Sequence, residues 1–393
     1  MTDPLRVLLF GTEFPPSAAG TAAYTRGLAL ALKGRGLDVH VLTQAPKRVQ
    51  ADDGHRDESM PIPVTRIPFT RNVARRYARS LGSLQAQLRR LRPDCLWATN
   101  GMGTRVAGMV SELPCPLITC ARGSDIRTRL PAAGLWRRVE AVLQRRAYQR
   151  SAGIAAACGD LAKYAADQGV ATQRLFVSHS AFDFSRLESM TASLGDVSRS
   201  EATVLTVARL SKQKRVDVLL RAIALARVHV PALRLVIVGD GPQRGRLQAL
   251  ARELDIEAAV EFVGALQPFS KQLCQQYQQA SVFALTSVGE GLANVFMEAG
   301  AFGLPSLGSD SGGTPEILTD GVTGWLVRPD DPQHTADRLV SLFQQPDARH
   351  RMGVAARAWM EEEFSLETLG LRSLSVIESV VAGDGVPQHM VQT

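Results

Sequence analysis

The stretch VFALTSVGEGLANVFMEAGAFGLPSLG, residues Val282–Gly308, sets the reading of the whole chain. An apolar run, Val282–Leu285, ends in a glycine-containing loop from Thr286 to Leu292. ANVFMEAGAF then has helical composition, and a second short run, Ser306–Gly308, follows Pro305. Strand, loop, helix and strand in that order form the repeating unit of a parallel sheet with helices on its faces. The same alternation runs outward in both directions. Upstream lie candidate strands Val7–Phe10, Val39–Leu42, Val64–Ile67, Cys95–Ala98, Leu117–Cys120, Ile154–Ala157 and Leu175–Ser178. Val204–Val207, Leu235–Val238 and Val260–Val263 come next, and Trp325–Val327 lies downstream. Segments of 3.6-residue period, such as Ala22 to Lys33, separate most of them.

At 393 residues the chain exceeds one ordinary core, so two domains of roughly 150–200 residues are expected. FSRLESMTASLGDVSRSEA, Phe184–Ala202, is polar and aperiodic and reads as the link. The fold class is therefore α/β, with two Rossmann-like, doubly wound domains over residues 1–185 and 200–365 facing across a cleft. Ligands of such sheets sit beyond the carboxyl ends of the strands. An amphipathic helix spans 366–382 with Ser365 as a cap candidate, and 383–393 reads as a flexible tail.

Composition excludes several classes. With 45% apolar and 21% charged residues and no apolar run of about 18, the chain reads as a globular protein without a membrane span. MTDPLRVLLFG makes a poor secretory signal and a good first strand, which points to the cytoplasm. Cys95, Cys115, Cys120, Cys158 and Cys274 are odd in number and lack CxxC spacing, so they read as reduced core thiols. HExxH, GxxxxGK[ST], GxSxG and a DxD triplet are all absent. VGDGPQRGRL, Val238–Leu247, has two early glycines but not the GxGxxG spacing of a dinucleotide site.

Positive charge is uneven. Arg71–Arg92 holds seven arginines and no acid, and Gly134–Arg150 holds five arginines against Glu140 alone. Together they exceed the net +7 of the chain, so the remainder is acidic. In the first stretch Val73, Tyr77, Leu81, Leu84, Leu88 and Leu91 form one helical face. That face suits an anionic membrane surface or the domain core. Nucleic acid is not expected as a partner, since aromatic residues make up only 6% and no binding motif is present.

Three segments carry candidate chemistry. Glu290 lies on the loop after Val282–Leu285, and Glu298 lies about one turn into the following helix. The helix start near Asn294 offers unpaired N–H groups to a phosphate. A carboxylate accepts two hydrogen bonds at once, as a vicinal diol requires. Arg209 and Lys214 follow the strand Val204–Val207, where cations would neutralise a diphosphate leaving group, with Lys212 and Arg215 as competitors. Gly20 opens a helix after the Pro15-Pro16 loop and permits close backbone approach to a ligand.

These segments in this order, with GDGP and GLPSLGSDSGGTPEIL, resemble the family-four glycosyltransferases of GT-B fold. The resemblance covers nearly the whole chain and is strongest in the second half. It implies a first domain that binds acceptor, a second that binds nucleotide sugar, and a final helix that crosses back to pack on the first. It assigns Glu298 to the ribose hydroxyls, Glu290 to the donor sugar, and Arg209 and Lys214 to the diphosphate. Gly291, Leu292, Ala293, Asn294 and Val295 would line phosphate and sugar, and Gly20 would approach from the first domain. The implied activity is a retaining, metal-independent hexosyltransferase that uses a UDP-sugar first and a GDP-sugar next. The nucleotide sugar is a co-substrate, and no cofactor is implied. The implied acceptor is a glycan, lipid-linked or polysaccharide hydroxyl in cell-envelope or exopolysaccharide synthesis, reached from the cytoplasmic side of the membrane. A soluble small-molecule or secondary-metabolite acceptor, or a catalytically silent binding subunit, is the alternative.

Three positions depart from the family pattern. ARGSDIR places Arg122 where many members carry histidine and keeps Asp125, a catalytic and sugar-side candidate. SHSAFD lacks the usual asparagine-glycine before Asp183, and Ala19-Gly20 replaces a glycine pair. For Arg122 two roles stand open: holding an anionic donor such as a uronic acid, or pairing with Asp125.

Overall fold

A computed structural model of the chain describes residues 3–17, 19–46, 60–123, 126, 134–192, 194 and 199–391. Every strand read from the sequence lies within a parallel sheet. The first sheet is built from β1 (Arg6–Phe10), β2 (Asp38–Gln44), β3 (Val64–Ile67), β4 (Cys95–Ala98), β5 (Leu117–Ala121), β6 (Gly153–Ala156) and β7 (Leu175–Val177). Its order is β3-β2-β1-β4-β5-β6-β7. The helices between are α1 (Gly20–Gly34), α2 (Val73–Leu91), α3 (Gly101–Met109), α4 (Leu135–Arg150) and α5 (Gly159–Asp167). Successive β1 residues serve opposite layers: Val7 and Leu9 join Tyr24, Leu28 and Trp97, while Leu8 and Phe10 join Leu84, Leu88 and Leu96. A strand buried on both faces needs an unbroken apolar run, and RVLLF supplies it.

The second sheet has the order β10-β9-β8-β11-β12-β13. Its strands are β8 (Thr203–Val207), β9 (Arg234–Val238), β10 (Val260–Gly264), β11 (Val282–Leu285), β12 (Ser306–Ser309) and β13 (Gly324–Val327). The helices are α6 (Phe184–Thr191), α7 (Val216–Arg227), α8 (Arg244–Glu253), α9 (Lys271–Gln279), α10 (Asn294–Ala301), α11 (Thr314–Ile317), α12 (Pro332–Gln344) and α13 (Pro346–Glu363). Every pairing in both sheets is parallel.

The chain divides into Met1–Ala181 with Leu366–Thr393, and Phe182–Ser365. The final helix, α14 (Leu366–Ala382), belongs to the first unit and places Leu369, Val376, Ile377 and Val380 in the cluster of Val7 and Tyr24. Gly370 lets it approach α1 closely, since a Cβ there would stand 2.8 Å from the Ala31 carbonyl oxygen.

Two features differ from the sequence reading, and one alternative it left open is decided. The stretch read as a link begins with α6, which belongs to the second unit: Asp183 accepts from Arg186 N–H at 3.1 Å as its cap, and Leu187 is buried. A helix of eight residues with apolar positions only at Phe184, Leu187 and Met190 is too short to stand out by its period. The stretch read as a tail packs on the first unit, with Val386 in the core and Val391 bridged to Phe176. Of the two readings open for the apolar stripe of α2, the structure takes the domain core. Tyr77, Leu84, Leu88 and Leu91 are buried, so that stripe is not free to enter a membrane, although Arg71, Arg75, Arg79, Arg89, Arg90 and Arg92 are exposed.

Candidate functional site

From β8 the second sheet continues through β9 and β10, and from β11 through β12 and β13 in the other direction. The loops leaving β8 and β11 therefore diverge at their carboxyl ends, which opens a crevice where ligands of such sheets bind. Arg209 and Lys214 leave β8, and Glu290 leaves β11.

The structure separates the basic candidates. Arg215 adopts a left-handed conformation, with φ of 46°. Its guanidinium contacts Asp217 at 3.3 Å and also pairs with Asp330, while its carbonyl accepts from the Thr286 hydroxyl at 2.8 Å. It is a brace. Lys212 is exposed on a 3-10 turn that spans Lys212–Lys214. Lys214 points inward, its ammonium 2.9 Å from Glu290 Oε1, with both side chains mostly covered. Arg209 is exposed, and among the described residues no acid pairs with it.

The Glu290 loop is strapped on two sides. Val288 N–H donates to the Gln213 carbonyl at 3.0 Å, and the Gln213 amide donates to the Gly289 carbonyl at 3.3 Å. From the turn after β12, the Ser311 hydroxyl accepts from Gly289 N–H at 3.2 Å, and Gly313 N–H donates to the Glu290 carbonyl at 3.1 Å. Gly312 has φ of 61°, and a Cβ there would stand 2.1 Å from the Glu290 carbonyl oxygen. The second glycine-rich turn is thus the seat of the first. GDGP plays the same part for Arg209: Cβ atoms at Gly239 and Gly241 would meet the Ala208 and Leu210 carbonyl oxygens at 1.9 and 2.5 Å.

Beyond Glu290, half-buried Gly291 and Leu292 and buried Ala293 lead into α10. This helix starts with no side-chain cap and no acid in its first turn, so its leading N–H groups, around Asn294 and Val295, keep the partial positive charge of a helix start. One turn in, Glu298 Oε2 accepts from the Tyr277 hydroxyl at 2.8 Å. Tyr277 lies on α9, is buried, and stacks on Phe302 with centroids 5.2 Å apart. Burial pushes the Glu298 carboxyl up to about 7, against the lowering effect of the Tyr277 bond. Burial also raises the Tyr277 phenol, which keeps it the donor. Sequence reasoning passed over Tyr277, Gln213 and Ser311. Their types carry no signal alone, and only the sheet brings them to the two acids.

In the first unit Gly20 is exposed at the start of α1, and the neighbouring Thr21 hydroxyl donates to the Glu13 carboxylate. Asp125 lies outside the described residues. Arg122 leaves the end of β5, donates to the Ser178 carbonyl at 2.7 Å and to the Ser180 hydroxyl at 3.0 Å, and lies over the Tyr24 ring at 3.6 Å.

Residues 19–179 match the model of the glycosyl transferase 4-like domain, and residues 196–359 match that of glycosyl transferases group 1. The chain belongs to the family-four-like glycosyltransferases. Among similar proteins, N-acetyl-alpha-D-glucosaminyl L-malate synthase of Bacillus anthracis is 30% identical over 188 residues, covering 48% of each chain. A GDP-mannose-dependent monoacylated alpha-(1-6)-phosphatidylinositol monomannoside mannosyltransferase of Corynebacterium glutamicum is 34% identical over 178 residues, 44% of this chain and 45% of that protein. The chain spans about half the length of the curated relatives it matches. Crystal structures with the same fold include HepE of Anabaena in complex with UDP, with TM-score 0.74 and 19% identity over 95% of this chain and 100% of that one. Sucrose-phosphate synthase of Thermosynechococcus elongatus gives TM-score 0.77 and 18% identity over 96% and 100%. The fold is GT-B, with two parallel-sheet Rossmann-like units. Within this chain, two of the departures from the family pattern meet: Arg122 is hydrogen-bonded to Ser178 and Ser180 of SHSAFD. Neither reading of Arg122 from the sequence anticipated that pairing, because the segments lie more than fifty residues apart.

Proposed function

We propose that this chain transfers a hexose from a nucleotide diphosphate sugar, a UDP-sugar first and a GDP-sugar next, to an acceptor hydroxyl with retention of anomeric configuration. The observation that carries the reading is the Lys214–Glu290 pair in the loop that feeds the uncapped start of α10. A cation and a bare helix N-terminus suit the diphosphate, and Arg209 adds a second cation. Glu298, one turn deeper, accepts the ribose hydroxyls. Glu290 accepts sugar hydroxyls while the Lys214 ammonium, 2.9 Å away, holds its carboxylate in place. As the glycosidic bond to the β-phosphate breaks, the charge that develops on the leaving diphosphate meets Lys214, Arg209 and the helix N–H groups. Preorganised donors of this kind are the largest single contribution to such steps. The departing phosphate oxygen takes the acceptor proton on the same face of the sugar. Asp125 and Gly20 act from the first unit in this reading.

A glycan or lipid-linked acceptor in envelope or exopolysaccharide synthesis is supported by relatives whose names specify phosphatidylinositol mannosides. A soluble small-molecule acceptor is the second reading, supported by the L-malate in the name of the Bacillus anthracis relative. Calorimetric titration of UDP and GDP into the wild-type protein and Glu298→Ala tests the site. One nucleotide is expected to bind the wild type and to lose at least about tenfold in affinity in the variant, the worth of one charged hydrogen bond. No binding of either nucleotide to the wild type would sink the donor assignment and favour a silent subunit.

A further inference from the structure

α4 presents a surface that nothing in the transfer reading uses. Its inner face is fixed by a buried polar network. Arg105 of α3 contacts Glu140 at 3.4 Å and donates to the Tyr77 hydroxyl at 2.6 Å, and Tyr77 of α2 donates to Glu140 at 3.0 Å. Arg105, Tyr77 and Glu140 are all buried, and Gln144 at 0% exposure accepts from Arg105 at 3.4 Å. Gly108 of α3 lies so close that a Cβ there would stand 2.8 Å from the Ala147 Cβ. Rotating α4 would strand a buried charge, so its outer face is set.

That outer face is both apolar and basic. Trp136, Val139 and Val142 recur at intervals of three and are 46%, 40% and 63% exposed. Arg137, Arg138, Arg145 and Arg146 are exposed around them. Glu140, the only acid of the helix, faces inward. Trp136 meets Tyr77 edge-on at 5.9 Å, and Val73, a turn before Tyr77 on α2, is 42% exposed. The exposed arginines of α2 extend the field. A tryptophan and valines flanked by guanidinium groups, with no outward acid, match an interface of acyl chains beneath anionic phosphates.

We propose that the outer face of α4, with Trp136, Val139 and Val142 as the inserting residues, docks the first unit onto an anionic lipid surface. The sequence left this role open for α2, with the domain core as the alternative. The structure gives the apolar part to α4 and leaves α2 as an electrostatic flank. This docking agrees with a lipid-linked acceptor but does not depend on it: vesicle binding reads the one and nucleotide titration the other.

The test uses the full chain with vesicles of phosphatidylcholine, with and without phosphatidylglycerol. Expected is co-sedimentation with the anionic vesicles alone, released by salt at about 0.5 M, where screening is nearly complete over a few ångströms. Tryptophan emission should shift to the blue on binding, and Trp136→Phe should remove the shift. Val139→Asp with Val142→Asp should weaken partition by about tenfold or more, and Arg137, Arg138, Arg145 or Arg146 changed singly to glutamine by up to about fivefold. All of these variants should keep the wild-type thermal unfolding profile, which shows that the first unit folds, and the wild-type nucleotide titration, which reads the second. The proposal is overturned if the wild type ignores anionic vesicles or binds single-stranded RNA in their place. It also falls if the valine variants partition unchanged, or if they alter oligomeric state without altering vesicle binding, which would make the face a contact between copies.

Discussion

Burying a carboxyl without a cation favours its protonated form, and Glu298 rises to about 7 even with Tyr277 donating to it. The folded value stands above the ordinary one near 4.5. Between those two values the folded state keeps a proton that the unfolded chain has released, so stability falls as pH rises through that window. Glu298→Gln keeps the volume and an acceptor for Tyr277. At pH 8 it should therefore be more stable than the wild type by about 1–3 kcal/mol, with the gap closing at pH 5. Denaturant unfolding at the two pH values measures this, and an equal gap at both would mean that Glu298 does not titrate as described. Tyr277→Phe removes the bond that lowers the Glu298 value. The pH midpoint for UDP-glucose binding, a ligand whose diphosphate does not titrate there, should move upward. A purely packing role for Tyr277 would lower the melting temperature and leave the midpoint in place. Glu290 and Glu298 were legible from the sequence as acids at a strand end and in a helix start. That Lys214 stands beside one while the other is buried against Tyr277 was not, because both contacts come from other segments.

The loops show how elements hold such residues. The Glu290 loop rests on a glycine turn from the next βα unit, and Gly312 is there because any side chain would strike the Glu290 carbonyl. Gly312→Ala adds that clash to a positive φ, so it should cost about 1–3 kcal/mol of stability. It should also lower turnover by about tenfold or more with the rest of the fold intact; steady-state kinetics alongside thermal unfolding would show both. Unchanged turnover would mean that the loop tolerates a different seat. The helices carry a different lesson. The period of α2 specified a helix with an apolar face, and the same period serves a core or a membrane equally well. Which of them it faces is decided by the sheet that Leu84 and Leu88 cover. On α4 the pattern was unreadable for the opposite reason: its buried side is polar, held by Arg105, Tyr77 and Gln144, and its exposed side carries valines. The link read at Phe184–Ala202 failed because the helix capped by Asp183 has only eight residues, and its apolar side, Phe184 and Leu187, shows only where the second core receives it.

At the scale of the whole molecule, the first unit is assembled from both ends of the chain. Ala181 and Leu366 lie together against Gly27, at 3.6 and 3.7 Å from where its Cβ would be, so the chain leaves and re-enters this unit at one place. Residues 1–181 alone expose the side of the core that Leu369, Val376, Ile377 and Val380 cover. That fragment should show no cooperative thermal unfolding. The same fragment joined to 366–393 by a short Gly-Ser link should regain it, which calorimetry of the two would establish; cooperative unfolding of the shorter one would mean that α14 only decorates the fold. By itself the sequence determined the alternation of strands and helices, the parallel sheets and the two acids with their cations. Each of these follows from local period and turn chemistry within a few tens of residues. The tertiary structure decided which acid meets a cation, what Arg122 binds, where the chain ends pack and which basic helix keeps its apolar face outside. Those outcomes rest on contacts between distant segments, and burial and pairing, which fix charge and exposure, exist only once the sheets have formed.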